Sequence, residues 1–151
     1  MQHVISLYDY TGEALKPWAE AGYQCFAYDI QHDPDFDKLK EYEGGGTISY
    51  VHADLHDFQN HRLIFSKWNG HKVAFGMAFP VCTDLAVSGA AWFKKKTEVN
   101  PSFQDEAAQH AIDCAGLFDD LGCPYFIENP VSVLATKWRK PDHCFHPYEY
   151  G

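Results

Sequence analysis

Two side chains of this sequence are suited to covalent and acid chemistry. Cys82 lies in "FPVCTDLAVSGA", after Pro80 and ahead of a Ser88-Gly89 turn, at the mouth of an apolar run. A thiol so placed can act as a nucleophile, but an ordinary thiol ionises only near pH ~8.5, and most free cysteines are small buried hydrophobes. Both readings stand for Cys82. Glu128 ends the apolar run "YFIENP", followed by Asn129. A carboxylate is costly to bury there unless it is paired or protonated, which is the setting of a tuned acid. A salt-bridged or capping Glu ahead of the helix-like "VSVLATKW" fits the same position.

Further upstream, "VISLYDYTGEALKPWAEAGYQCFAYDI" reads as strand, turn, helix and strand. Gly12 can let a ligand approach the backbone in that turn, but the dinucleotide fingerprint GxGxxG is absent, so a pyrophosphate cradle is not expected. Asp29 ends the second strand, near the ~20-residue offset at which an acidic residue meets a ribose in nucleotide-binding folds. A solvated strand-end carboxylate explains it equally well. Asp54, in "HADLHDF", sits at another strand end, where Asp is also common turn chemistry.

The elements that must position these residues follow from periodicity. Strands are expected over His3–Tyr8, Gln24–Ile30, Ile48–Ala53, His71–Phe79 and Tyr125–Ile127. Helical spacing covers Glu13–Ala21 up to Gly22, and Asp57–Trp68 up to Asn69-Gly70. The clearest helix begins at Ser102, with Asp105 in a capping-box position and Gly122 as its stop. Asp33–Glu43 reads as a charged excursion of helical character, halted by Gly44-Gly45-Gly46. The stretch "FPVCTDLAVSGAAWFKKKTEVNP" has no clean periodicity and reads as a long loop, a kind that is usually functional or disordered. Alternating strands and helices imply an α/β fold with a mainly parallel sheet of about five strands and helices on both faces. Ligands then gather beyond the C-terminal strand ends, where the strand order reverses, between the first and fourth strands.

The bulk properties set bounds. A chain of 151 residues, 46% hydrophobic, suits one globular domain without a repeat or linker. Its apolar stretches fall short of the ~20 residues of a membrane span, and no leader precedes Val4, so a cytoplasmic location is expected. Five cysteines without a CxxC pair do not suggest a disulfide framework. A formal net charge of −9 opposes tight, non-specific DNA binding.

Together these residues resemble the catalytic core of the DNA cytosine-C5 methyltransferases, in their short phage-type form. Ser6-Leu7-Tyr8 running to Gly12 and on to Ala21-Gly22-Tyr23 is similar to the family's DLFxGxGG turn and its following helix. Asp29 matches the ribose-binding acid and Asp54 the acidic motif near the adenine. "FPVC" matches the Pro-Cys loop, with Gly89 at its downstream glycine, and "IENP" matches the Glu-Asn motif. The resemblance spans residues 4–130 and implies a Rossmann-like core with S-adenosylmethionine as cofactor, held by Tyr8, Gly12, Asp29, Ile30, Asp54 and Leu55. Cys82, Pro80, Glu128 and Asn129 are then the catalytic positions, and DNA or a related nucleotide is the substrate. Three positions depart from the pattern: Ser6 replaces an acid, Tyr10 the first glycine and Val81 the second proline of Pro-Pro-Cys. No QxRxR motif, target-recognition region or returning strands are found, so residues 1–151 are read as one methyltransferase-like catalytic domain, either a minimal relative or an incomplete one. A catalytically silent binding protein of the same fold is the other reading.

Lys94-Lys95-Lys96 after Trp92-Phe93 fits either a phosphate contact or a solvated turn. His143, Cys144 and His146, even with His52, His56 and His61, match no zinc spacing, so no metal is expected. An uncovered fifth strand would be a free edge. It implies a homodimer through the Tyr125 to Trp138 side, with apolar surface from Tyr125, Phe126, Val131, Val133, Leu134 and Trp138.

Overall fold

A computed structural model describes residues 2–81, 93–129 and 134–145. Among these residues six strands form one sheet: β1 (His3–Leu7), β2 (Gln24–Asp29), β3 (Lys38–Glu41), β4 (Thr47–His52), β5 (Val73–Ala78) and β6 (Tyr125–Ile127). Their order is β3-β4-β2-β1-β5-β6. All neighbours are parallel except β3 and β4. The five parallel strands lie where alternation and apolar runs placed them. The order reverses between β1 and β5, as expected for crossovers that leave β1 in opposite directions along the sheet.

The helices are α1 (Lys16–Glu20, entered by a tight turn over Glu13–Leu15), α2 (Phe58–Trp68), α3 (Phe93–Val99), α4 (Phe103–Leu121) and α5 (Leu134–Lys137). Alternate residues of β1 face opposite layers, because successive side chains of a strand point to opposite sides. Ile5 and Leu7 pack with Ile64 and Trp68 of α2 and Leu117 and Phe118 of α4. Val4 packs instead with Leu15 and Ala19 at α1, and with Ile48 and Met77.

Four sequence expectations are corrected. Asp33–Glu43 is not helical: Lys38–Glu41 pairs antiparallel with β4. Gly45, at φ 84°, reverses the chain, and Tyr42 N–H donates to the Gly46 carbonyl at 2.9 Å. Every residue of β3 is exposed, so neither period was written in its side chains and backbone pairing decided. The supposed long loop contains α3, which places Lys94, Lys95 and Lys96 on a helix rather than a turn. Residues 82–92 of that stretch, Cys82 and Gly89 included, lie outside the described residues. Ser102 does precede α4, but its side chain makes no capping bond to the helix; its hydroxyl donates to Asn100 Oδ1 at 3.2 Å. Leu134, counted among exposed apolar residues, is buried at α5 against Ala107, Ala108 and Ala111. Lys137 pairs there with Asp105 at 2.8 Å.

Candidate functional site

The C-terminal ends of the parallel strands meet at one edge of the sheet. The turn leaving β1 is the most tightly built part of it. Tyr8 has φ 56°, a left-handed conformation rarely taken by a bulky residue. Asp9, 6% exposed, holds the turn that follows. Its Oδ2 accepts from Ser6 Oγ at 2.7 Å, and its Oδ1 accepts from Gly12 N–H at 2.7 Å. The two donors satisfy a carboxylate that would otherwise be costly to bury. His32 is also buried, with Nε2 3.0 Å from the Asp9 carbonyl, and Tyr10 stacks over its ring at 5.6 Å. Gly12 has φ 73°. A Cβ on it would stand 3.0 Å from the Tyr50 ring, so the close approach this glycine permits is one made by Tyr50.

Asp29, 8% exposed, ends β2, and its Oδ1 accepts from Gln31 N–H at 2.8 Å. Ile30 beside it is 56% exposed. Asp54, after β4, is exposed and accepts from His56 N–H at 3.1 Å. Leu55 turns into the core, and its carbonyl lies 2.8 Å from His61 Nε2. Thus Tyr8, Gly12, Asp29, Ile30, Asp54 and Leu55 share one edge, but Leu55 offers it only backbone. Burial raises the Tyr8 hydroxyl above the ordinary tyrosine range, helped by Cys114, Asp113, Asp54 and Asp29, and that hydroxyl has no partner among the described residues.

Across the reversal, β5 and β6 deliver the other group. Phe79 N–H donates to the Leu7 carbonyl at 3.0 Å, and Glu128 N–H to the Ala78 carbonyl at 2.9 Å. Backbone pairing therefore fixes Glu128 beside the foot of the segment that runs through buried Pro80 and exposed Val81 toward Cys82. Burial alone raises the Glu128 carboxyl above its usual range. Both polar atoms of the Asn129 side chain are buried without a partner among the described residues. Cys82 itself lies outside the described residues. Of the cysteines within them, Cys25, Cys114 and Cys123 are buried. Desolvation pushes the Cys25 thiol up to about 12 and raises the other two, so none is suited to forming a thiolate.

Asp9 and His32 are the members of this edge that sequence reasoning missed. The available signal was spacing: Ser6, Asp9 and Gly12 recur at intervals that let one short side chain bridge a turn. No protein-family model, curated protein or solved structure matches the chain. Among the described residues, no helix is long and apolar enough to cross a membrane.

Proposed function

We propose that this chain is an S-adenosylmethionine-dependent methyltransferase acting on C5 of cytosine in DNA or a related nucleotide. The observation that carries the reading is the charge of the strand-end edge. Asp9, Asp29 and Asp54 stand in the turns after β1, β2 and β4, and those turns, residues 8–13, 29–33 and 53–57, hold no Lys or Arg. A pyrophosphate would meet carboxylates there and no Lys or Arg. A sulfonium compound with a ribose diol and no phosphate suits the same edge, with a carboxylate to accept from the ribose hydroxyls.

Bound there, S-adenosylmethionine would supply an electrophilic methyl group; Tyr8, Gly12, Asp29, Ile30, Asp54 and Leu55 are the residues to hold it. In this reading the Cys82 thiolate adds to C6 of cytosine while the Glu128 carboxyl donates its proton to N3, leaving C5 rich enough in electrons to take the methyl group. Water then takes the C5 proton as the thiolate is expelled, re-forming the C5–C6 double bond, and the N3 proton returns to the Glu128 carboxylate, which restores the base and the enzyme. A raised Glu128 suits this role, because a carboxyl must hold its proton near neutral pH to give it. Asn129 and Pro80 shape the same corner. A base in a duplex must leave the stack to reach it.

The test is covalent capture. A single-stranded 5-fluorocytosine oligonucleotide with S-adenosylmethionine should give a denaturation-resistant adduct with wild type and none with Cys82→Ser. Methylation persisting in Cys82→Ser would rule out the thiolate mechanism. The Tyr50 ring against Gly12 favours a second reading, a silent binding protein whose cofactor turn has been filled in. Calorimetry separates the two: the methyltransferase reading requires S-adenosylmethionine binding that Asp29→Ala weakens far more than Asp35→Ala. In either reading β6 is the edge strand of the described sheet, and we propose that a second copy pairs there. DNA affinity of the isolated chain is proposed to be weak, given the −9 charge.

A further inference from the structure

Two histidines that this chemistry does not use lie face to face. His56, in the turn after β4, and His110, on α4, have ring centroids 3.9 Å apart and planes within 5° of parallel. The His56 ring also meets Tyr8 at 5.7 Å. The pair therefore ties the turns leaving β1 and β4 to α4. Leu55 anchors the β4 turn in the core, whereas Asp54 and His56 lie outside it. Their backbone is held within the turn by His56 N–H on Asp54 Oδ1 at 3.1 Å and Asp57 N–H on the Asp54 carbonyl at 3.2 Å, and from α2 by the Asn60 side chain, which donates to the Asp54 carbonyl at 2.8 Å.

Two neutral imidazoles can stack at this distance, but two imidazolium ions repel. Water solvates a charge on exposed His56, whereas half-buried His110 lacks that relief. Burial first, then His56 and His61, hold His110 below the usual histidine range, against the pull of Asp113 and Glu106. We propose that the His56–His110 stack is a proton-operated latch on the strand-end edge. While both rings are neutral it holds Tyr8 and the Asp54 turn against α4, and double protonation releases them. The groups around it are Tyr8 from the β1 turn, Asp54 from the β4 turn, His61 from α2, and Glu106 and Asp113 from α4 itself. The carboxylates soften the repulsion and so set how far the pH must fall. The direction follows from linkage: the folded chain takes up the His110 proton only at lower pH than the unfolded chain does. The latch is fully stabilising above the ordinary histidine range and loses that contribution as pH falls through the lowered value.

The link to cofactor binding rests on the function proposed above; the latch does not. Amide exchange of residues 54–57 in the full chain tests it, corrected for intrinsic rate and referenced to β1. In wild type these amides should exchange several-fold faster near pH 5 than near pH 8. In His110→Phe, which keeps an aromatic partner and loses the titration, the difference should vanish. An undiminished pH response in folded His110→Phe overturns the latch. Should that variant fail to fold, ring titrations of wild type by NMR decide: coupled steps for His56 and His110 support it, and independent titration overturns it. S-adenosylmethionine calorimetry at the same two pH values should show weaker binding at the lower one in wild type only. No binding at either pH would sink the methyltransferase reading and leave the latch to the exchange result.

Discussion

On one face of the sheet, Ile5 and Leu7 are sealed beneath α2 and α4; on the other, Val4 and Met77 lie beneath α1, which has five residues against the nineteen of α4. The difference reaches the β5–β6 end. There Phe75 and Phe79 are only partly buried, Phe126 is 41% exposed and Val81 54% exposed on the described surface. The α2/α4 layer is organised for burial. The α1 layer is short, so its strands are held as much by the turns at their ends, where the proposed chemistry sits.

The largest expected effect tests this division directly. Phe118 is fully buried in the α2/α4 layer, and Phe118→Ala should cost about 3–5 kcal/mol in urea unfolding. Trp18→Ala, on the opposite layer, removes a larger ring that is only half-buried and should cost clearly less. Equal losses would mean that the layers share the load. Gly12→Ala comes next. Its φ of 73° and the Tyr50 ring 3.0 Å from the new methyl should cost about 1–2 kcal/mol. Introducing it into a Tyr50→Ala chain should recover the part due to contact and not the part due to backbone strain.

Smaller effects sharpen the contrast between site and core. Burial raises the Glu128 carboxyl, so the folded chain holds this proton to higher pH than the unfolded chain. Stability should therefore fall as pH rises from the ordinary glutamate range through the raised value, and be level above it. Glu128→Gln should remove that fall, and if active should lose methyl transfer at neutral pH. Unchanged pH dependence of the unfolding midpoint would show that Glu128 is an ordinary solvated carboxylate. The smallest pair concerns helix starts. Asp57→Ala deletes a bond of 2.9 Å from Gln59 N–H and should cost α2 about 1 kcal/mol. Ser102→Ala should cost less, since that hydroxyl makes no capping bond to α4.

Helix α2 was legible because its burial repeats with a period near 3.6 residues, and the parallel strands because they are short apolar runs bounded by turn signals. Gly122 signalled the end of α4 for the same local reason that acts in the structure, its left-handed conformation. What sequence missed was decided by partners that no window contains. β3 is a strand because β4 pairs with it, and Ser102 resembles a cap whose hydroxyl found Asn100 first. At the candidate site, the carboxylates at strand ends were visible as types and spacings. The bracing of Asp9 by Ser6 was not, because its meaning depends on Tyr8 turning left-handed. The stacking of His56 on His110 joins residues on separate elements, which spacing cannot reveal.

The placement of β1 has a consequence for the order of assembly. His3 pairs with Gln24 on one side but with Val73 on the other. The strand made first is thus enclosed only once the fifth has been made. Loop closure grows costly only slowly with length, yet pairings distant in sequence are the slow ones. Until β5 has been synthesised, the outer edge of β1 offers its unpaired N–H and C=O groups to any other strand. Nascent chains arrested before Val73 should accordingly be captured by chaperones or aggregate more readily than full-length chains. For this fold, the edge made first stays open from the first strand to the fifth.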